Sequence, residues 1–261
     1  MALNAETLQR YKLWFSSYVK SFYFTNTDDQ KNIDLKEMHS GDVCNIITDI
    51  AMRHFDAEDK IVLASVIGLF HDVGRFPQYA RYKTFKDTIS VNHGALGAEV
   101  LASEGVLHGL SPETVEIVLQ SVKYHNAYSI PNGLSPETEM YLKMIRDADK
   151  LGIWRVFIEI FNLNKVERAS AVLLGLPVKD GYSEKIFKAV STGNLAKLKD
   201  VECENDYKLL MLTWIFDLNF HSSYSLLLER QYIDALVDTL PDTVEINSLR
   251  RILRDYCNAR S

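Results

Sequence analysis

The sequence lacks three things: an excess of basic charge, an apolar run long enough to span a bilayer, and all but a few cysteines. Lys and Arg number 29 against 35 Asp and Glu, a formal net charge of −6. A nucleic-acid binder usually carries a basic face, so no nucleic-acid partner is expected, although a local basic pocket is compatible with this balance. The longest apolar run falls far short of the roughly 20 residues a membrane helix needs, which removes the membrane as an expected partner. The 3 cysteines, Cys44, Cys203 and Cys257, lie far apart and form no CxxC pair. They read as reduced core or surface thiols. The first residues, Met1 to Glu6, lack the basic and apolar regions of a secretory leader. Together these absences make a cytoplasmic protein the expectation. There is no internal repeat, no low-complexity tract and no alternating pattern of the kind a half-buried strand shows.

What is present is helical periodicity. The chain has 261 residues, 47% of them apolar, enough for one large domain or two small ones with a sizeable core. Leu8, Tyr11, Trp14, Phe15, Tyr18 and Phe22 recur at three- and four-residue steps, one face of an amphipathic helix. A polar break over Thr25 to Gln30 precedes a second helix from Ile33 to about His54. Its inner side is expected to carry Leu35, Met38, Val43, Ile46, Ile47 and Ile50. Asp56 is the expected cap of a third helix beginning near Ala57. Gly74 to Ser90 reads as a long loop, at most with a short helix. His93 opens a helix containing Gly94 and Gly97, which cost helix stability and imply close packing on a neighbour. Ser-Pro-Glu at 111–113 and again at 135–137 is a helix start, with Ser as cap and Pro at the first position. From about Gly152 the pattern stays helical, with a break at Asp180-Gly181 and three expected helices over 209–220, 225–240 and 246–256. The fold class is all-α.

The apolar run from Ile61 to Phe70 ends in His71-Asp72-Val73-Gly74-Arg75. A core helix that simply stopped would not need two strong metal-binding side chains there. Neighbouring helical residues point about 100° apart, so the pair suits a site in which the carboxylate leans toward a second metal. The competing reading is a polar helix terminus, with His at the negative end of the dipole and Gly74 in a left-handed turn. The rest of the chain weighs against it. His39, His93 and His125 also fall at helix ends or edges, each on a different helix, and Asp149 lies in Ala148-Asp149-Lys150-Leu151. His and carboxylate ligands suit Fe, Mn, Zn, Co or Ni. Six such ligands exceed the needs of one tetrahedral ion and fit two ions sharing Asp72.

The ordered set His39, His71-Asp72 and Asp149 resembles the HD superfamily of metal-dependent phosphohydrolases over about Ile33 to Leu151. The resemblance implies an HD-type helical bundle over 33–151; from the helical periodicity on either side, an N-terminal helix (1–32) packing on that core and a helical extension over 152–261 are expected. It implies metal ligation by His39, His71, Asp72 and Asp149. His93 and His125 resemble the two extra ligands of dinuclear members, so the implied cofactor is a divalent transition metal, as two ions. The cyclic-di-GMP phosphodiesterases of the superfamily carry a His-His pair and a Gly-Tyr-Pro motif. Tyr124-His125-Asn126 stands here and no Gly-Tyr-Pro occurs, which speaks against that substrate.

The expected activity is hydrolysis of a phosphoester or phosphoanhydride in a nucleotide or other small phosphorylated metabolite, with Asp72 and Arg75 as catalytic residues. Arg75 and Lys123 are the expected substrate-binding cations. Asp147 lies about 200° round the helix from Asp149 and is expected to cap or pair instead. His54, His108 and His221 fit no ligand pattern. Two rival functions share the scaffold: a di-iron oxygenase, as in the inositol oxygenase branch, and a catalytically silent nucleotide-binding module. Substrate identity, the general acid and the oligomeric state are not legible in the sequence.

Overall fold

The computed structural model describes residues 2–162 and 175–261. Among them there is no strand, and the chain is a series of α-helices joined by short turns and 3₁₀ segments. Residues 2–152 form one compact unit, and residues 153–162 with 175–261 form a second. The expected helical continuation through 163–174 lies outside the described residues.

In the first unit, α1 (Ala5–Lys20) is capped by Asn4, whose side chain accepts from the Thr7 backbone N–H. Its aromatic stripe packs on the residues flanking the His-Asp doublet. Tyr11 and Trp14 meet Phe70 edge-on, with ring centroids 5.5 and 5.6 Å away, and Phe15 meets Phe76 at 5.7 Å. Helix α2 (Thr27–Met52) starts earlier than its apolar pattern, because Asn26 caps it by accepting from the N–H groups of Asp28 and Asp29. The expected polar break over 25–30 is therefore mostly helix. Val43, Ile46, Ile47 and Ile50 are buried as expected, whereas Met38 is 43% exposed and sits on the outer face. Helix α3 (Glu58–Phe70) is buried from Val62 to its end and packs against α2 and α1. Its N-cap is Ala57, with no side-chain cap, so Asp56 does not play the expected role.

Arg75–Tyr82 forms α4, so the segment expected as a loop is helical in its first half and holds a 3₁₀ turn at Asp87–Ile89. Helices α5 (His93–Ser103) and α6 (Pro112–Tyr124) pack on one another. Ser111 caps α6 as expected, accepting from Thr114 N–H. The close packing expected of the α5 glycines is present. A Cβ on Gly94 would lie 2.7 Å from the Lys123 carbonyl oxygen, and one on Gly97 would lie 3.1 Å from Val122 Cγ1. Helix α7 (Pro136–Asn162) begins at Ser135, whose hydroxyl accepts from Thr138 N–H.

The second unit contains α8 (Glu184–Ser191), α9 (Glu204–Thr213), α10 (His221–Glu229), α11 (Tyr232–Val237) and α12 (Val244–Asn258). Helix α8 has no counterpart in the sequence reading. The single helix expected over 225–240 is broken in two at Gln231, whose φ of 55° lies in the left-handed region. All three cysteines are free and buried. Among the described residues, no helix is long and apolar enough to cross a membrane.

Candidate metal centre

Five elements of the first unit deliver the six residues singled out by the sequence. His39 comes from the middle of α2, His71 caps the C-terminus of α3, and Asp72 follows in the turn before α4. His93 is the first residue of α5, His125 the C-cap of α6, and Asp149 lies on α7. The four imidazoles and Asp72 are almost wholly buried, and the Asp149 side chain is 19% exposed. Three overlapping groups of these residues each place their ligand atoms within 4.8 Å of one another: His39, His71 and Asp72; His71, His125 and Asp149; Asp72, His93 and His125. Asp147 belongs to none of them.

Asp72 divides the cluster by its two oxygens. Oδ2 faces His39 Nε2 at 3.9 Å and His71 Nε2 at 3.6 Å. Oδ1 faces His93 Nε2 at 3.4 Å and His125 Nε2 at 3.7 Å. Asp149 Oδ1 joins the first pair, 3.0 Å from His39 Nε2 and 3.6 Å from His71 Nε2.

Three of the four imidazoles have their tautomer fixed from outside. Nδ1 of His71 lies 2.8 Å from the Gly68 carbonyl, and Nδ1 of His125 lies 2.7 Å from the Val122 carbonyl. Nδ1 of His93 lies 2.7 Å from an Asp87 carboxylate oxygen. Each of these oxygens only accepts, so each Nδ1 donates, and in the neutral ring each Nε2 turns a lone pair inward. The Nε2 atoms of His93 and His125 are 3.0 Å apart, and His71 Nε2 is buried with no hydrogen-bond partner among the described residues. Converging lone pairs beside a carboxylate repel one another unless a cation or proton lies among them. The donor set therefore fits divalent metal, with carboxylate or carbonyl oxygens bracing the ligating rings from behind. Among the described residues His39 has no such brace, and its buried Nδ1 has no hydrogen-bond partner.

The charges agree with this arrangement. Burial would raise the Asp72 carboxyl, but Lys36 and His71 hold it well below the usual carboxylate range. Asp149 is likewise held low, against burial, by His39 and His71. Burial and the Arg75 guanidinium pull His93 down to about 3, so its ring is neutral. Burial also pushes His71 down, but Asp72 and Asp149 outweigh it and hold this ring above its ordinary value.

Two residues of the centre were not anticipated. Lys36 places Nζ 2.8 Å from Asp72 Oδ2. It precedes His39 by three residues on α2 and so shares its face, which was a usable signal. Asp87 braces His93 and had none, lying in a segment without periodicity. Of the expected cations, Arg75 reaches the centre: Nε is 3.4 Å from Asp72 Oδ1, and Nη1 donates to Gln78 Oε1, the Phe85 carbonyl and Asp87 Oδ1. Lys123 is exposed, with its ammonium 5.1 Å from the Tyr124 ring centroid. It forms no ion pair or hydrogen bond with the six among the described residues. The left-handed turn at Gly74 is absent: its φ is −70°. Its role is close approach, since a Cβ there would lie 2.3 Å from the His93 carbonyl oxygen.

No curated protein and no solved structure matches the chain. Residues 37–152 match the family model of the HD domain, less than half of the 261 residues. HD domains bind divalent metals and belong to a superfamily mostly of metal-dependent phosphohydrolases. The segment that matches the HD domain model, residues 37–152, contains all six residues of the cluster.

Proposed function

We propose that the chain is a metal-dependent phosphohydrolase that cleaves a phosphoester or phosphoanhydride bond in a nucleotide or other small phosphorylated metabolite. The observation that carries this reading is the division of Asp72, with one oxygen toward His39 and His71 and the other toward His93 and His125. A carboxylate so placed can bridge two ions. In this reading His39, His71, Asp72 and Asp149 hold one divalent transition metal, and Asp72, His93 and His125 hold the other. The metal-binding core occupies 33–151, with 1–32 and 152–261 as accessory helices. Bound metal would supply Lewis acidity and lower the pKa of water toward neutrality.

The choice of a phosphorylated substrate follows from charge. Two carboxylates and four neutral imidazoles bring two negative charges to a site that would hold four positive ones. The surplus favours an anionic ligand, and Lys36 and Arg75 add to it. The Lys36 ammonium lies on Asp72 Oδ2. With that oxygen engaged elsewhere, a long flexible lysine is free to meet a phosphate oxygen, while Arg75 Nε stays close to Asp72. Both cations would offset charge that develops as the bond breaks.

The test is metal content by mass spectrometry on protein prepared without chelator, followed by a phosphate-ester panel with and without oxygen. About two ions per chain and oxygen-independent release of phosphate support the reading. Oxygen consumption with strict iron dependence would move the chain to the oxygenase branch, and nucleotide binding without turnover under any metal would make it a silent binding module. Within the reading, Lys36→Met is expected to lower kcat/KM by about 10²–10³-fold, as loss of one charge-stabilising group does. Metal content should stay at the wild-type level. Unchanged kcat/KM would remove Lys36 from the reaction.

A further inference from the structure

Asp87, which is not one of the six residues of the cluster, is a heavily bonded carboxylate beside the centre. It lies at the start of the short 3₁₀ turn between α4 and α5. Oδ2 accepts from His93 Nδ1 at 2.7 Å, from Asn126 Nδ2 at 3.0 Å and from the His93 backbone N–H at 3.4 Å. Oδ1 accepts from Arg75 Nη1 at 3.0 Å and from Gln78 Nε2 at 2.9 Å. One side chain therefore ties together α4, α5 and the turn after α6. Every one of these partners donates, so a proton on the Asp87 carboxyl would find no acceptor among them.

The rings of the centre differ in how they are braced. His71 and His125 lean on carbonyl oxygens of their own helices, at Gly68 and Val122, so each brace comes with the helix. The brace of His93 comes from a separate segment and carries a charge. We infer that Asp87 is a positioning residue for the second metal site: it fixes His93 with its proton on Nδ1 and its Nε2 lone pair toward Asp72 Oδ1, and it locks Arg75 alongside. This rests on the dinuclear reading above. It adds that loading of the two sites is unequal in origin, the His93/His125 site depending on a residue that is not itself a ligand.

Asp87→Asn tests this with almost no change of shape. An asparagine offers one oxygen and one NH₂, so it must turn a donor toward either the His93 side or the Arg75 side, where only donors stand. Titration of metal-free protein with Mn²⁺ or Zn²⁺, with bound metal counted by mass spectrometry, is expected to show two ions in the wild type. In Asp87→Asn the first ion should bind as in the wild type and the second about 10–100-fold more weakly, the usual cost of losing such a partner. A second measurement needs no metal, and its first result needs no variant. Nitrogen-15 NMR of the metal-free wild type should show the His93 proton on Nδ1, and Asp87→Asn should lose that single tautomer. Wild-type protein that binds no metal, or only one ion, would defeat the dinuclear reading itself. Two ions in the wild type, with the second equally tight in Asp87→Asn, would overturn the role of Asp87 alone. A wild-type His93 protonated on Nε2 would also overturn it, even if the variant failed to fold.

Discussion

Asp72→Asn is expected to give a folded chain that holds no ion pair and hydrolyses no phosphate ester above the blank. The substitution preserves volume but replaces one of the two oxygens by an amide that only donates. Oδ1 serves His93 and His125, and Oδ2 serves His39 and His71, so whichever way the amide turns, one pair of imidazoles loses its shared carboxylate. The charge is lost as well, leaving Asp149 as the only anion among the six. Lewis-acid stabilisation contributes several kcal/mol to a transition state. Losing about 4 kcal/mol corresponds to roughly a thousandfold in rate. The checking measurements are bound metal by mass spectrometry and steady-state phosphate release, and His71→Ala should behave alike in both. A variant that keeps two ions and wild-type turnover would sink the phosphohydrolase reading.

The sequence made the six-residue cluster legible for a physical reason. Buried helices seldom end on His or Asp, so ligands placed at the ends of apolar runs, as His71, Asp72 and His125 are, stand out against the periodicity. Helix starts were equally visible where the cap was a Ser-Pro pair, at Ser111 and Ser135. Legibility failed where the deciding interaction is long-range. Lys36 looks like any solvated lysine on a mixed helix face until Asp72 is folded against it. Asp87 lies in a stretch without period, and its partners Arg75, His93 and Asn126 come from three other segments. Met38 faces outward because it stands five residues before Val43, off the three- and four-residue steps of the buried stripe, where His39 holds the inward position. Gln231 breaks a helix with a positive φ that residue type did not foretell.

Gly74→Ala is the sharpest test of how the backbone builds the centre. Gly74 has ordinary helical angles, with φ −70° and ψ −15°, so alanine meets no conformational penalty there and any cost comes from packing. The added Cβ would lie 2.3 Å from the His93 carbonyl oxygen, 2.6 Å from Gly97 N and 3.1 Å from Gly97 Cα. These are backbone atoms, which cannot swing aside as a side chain can, so the start of α4 and the start of α5 must separate. Overpacking commonly costs about 1–3 kcal/mol and occasionally more. With three contacts against rigid backbone, a loss of about 3 kcal/mol is expected, read as a fall in the denaturant midpoint without change in slope. The same separation moves His93 away from Asp72 Oδ1, now 3.4 Å from its Nε2, while His39, His71 and Asp149 stay on α2, α3 and α7. The variant should therefore lose the second ion before the first as metal is lowered. Unchanged stability would mean that α4 and α5 are less tightly apposed than these distances require. Simultaneous loss of both ions would mean that Gly74 supports the whole centre and not the His93 side alone.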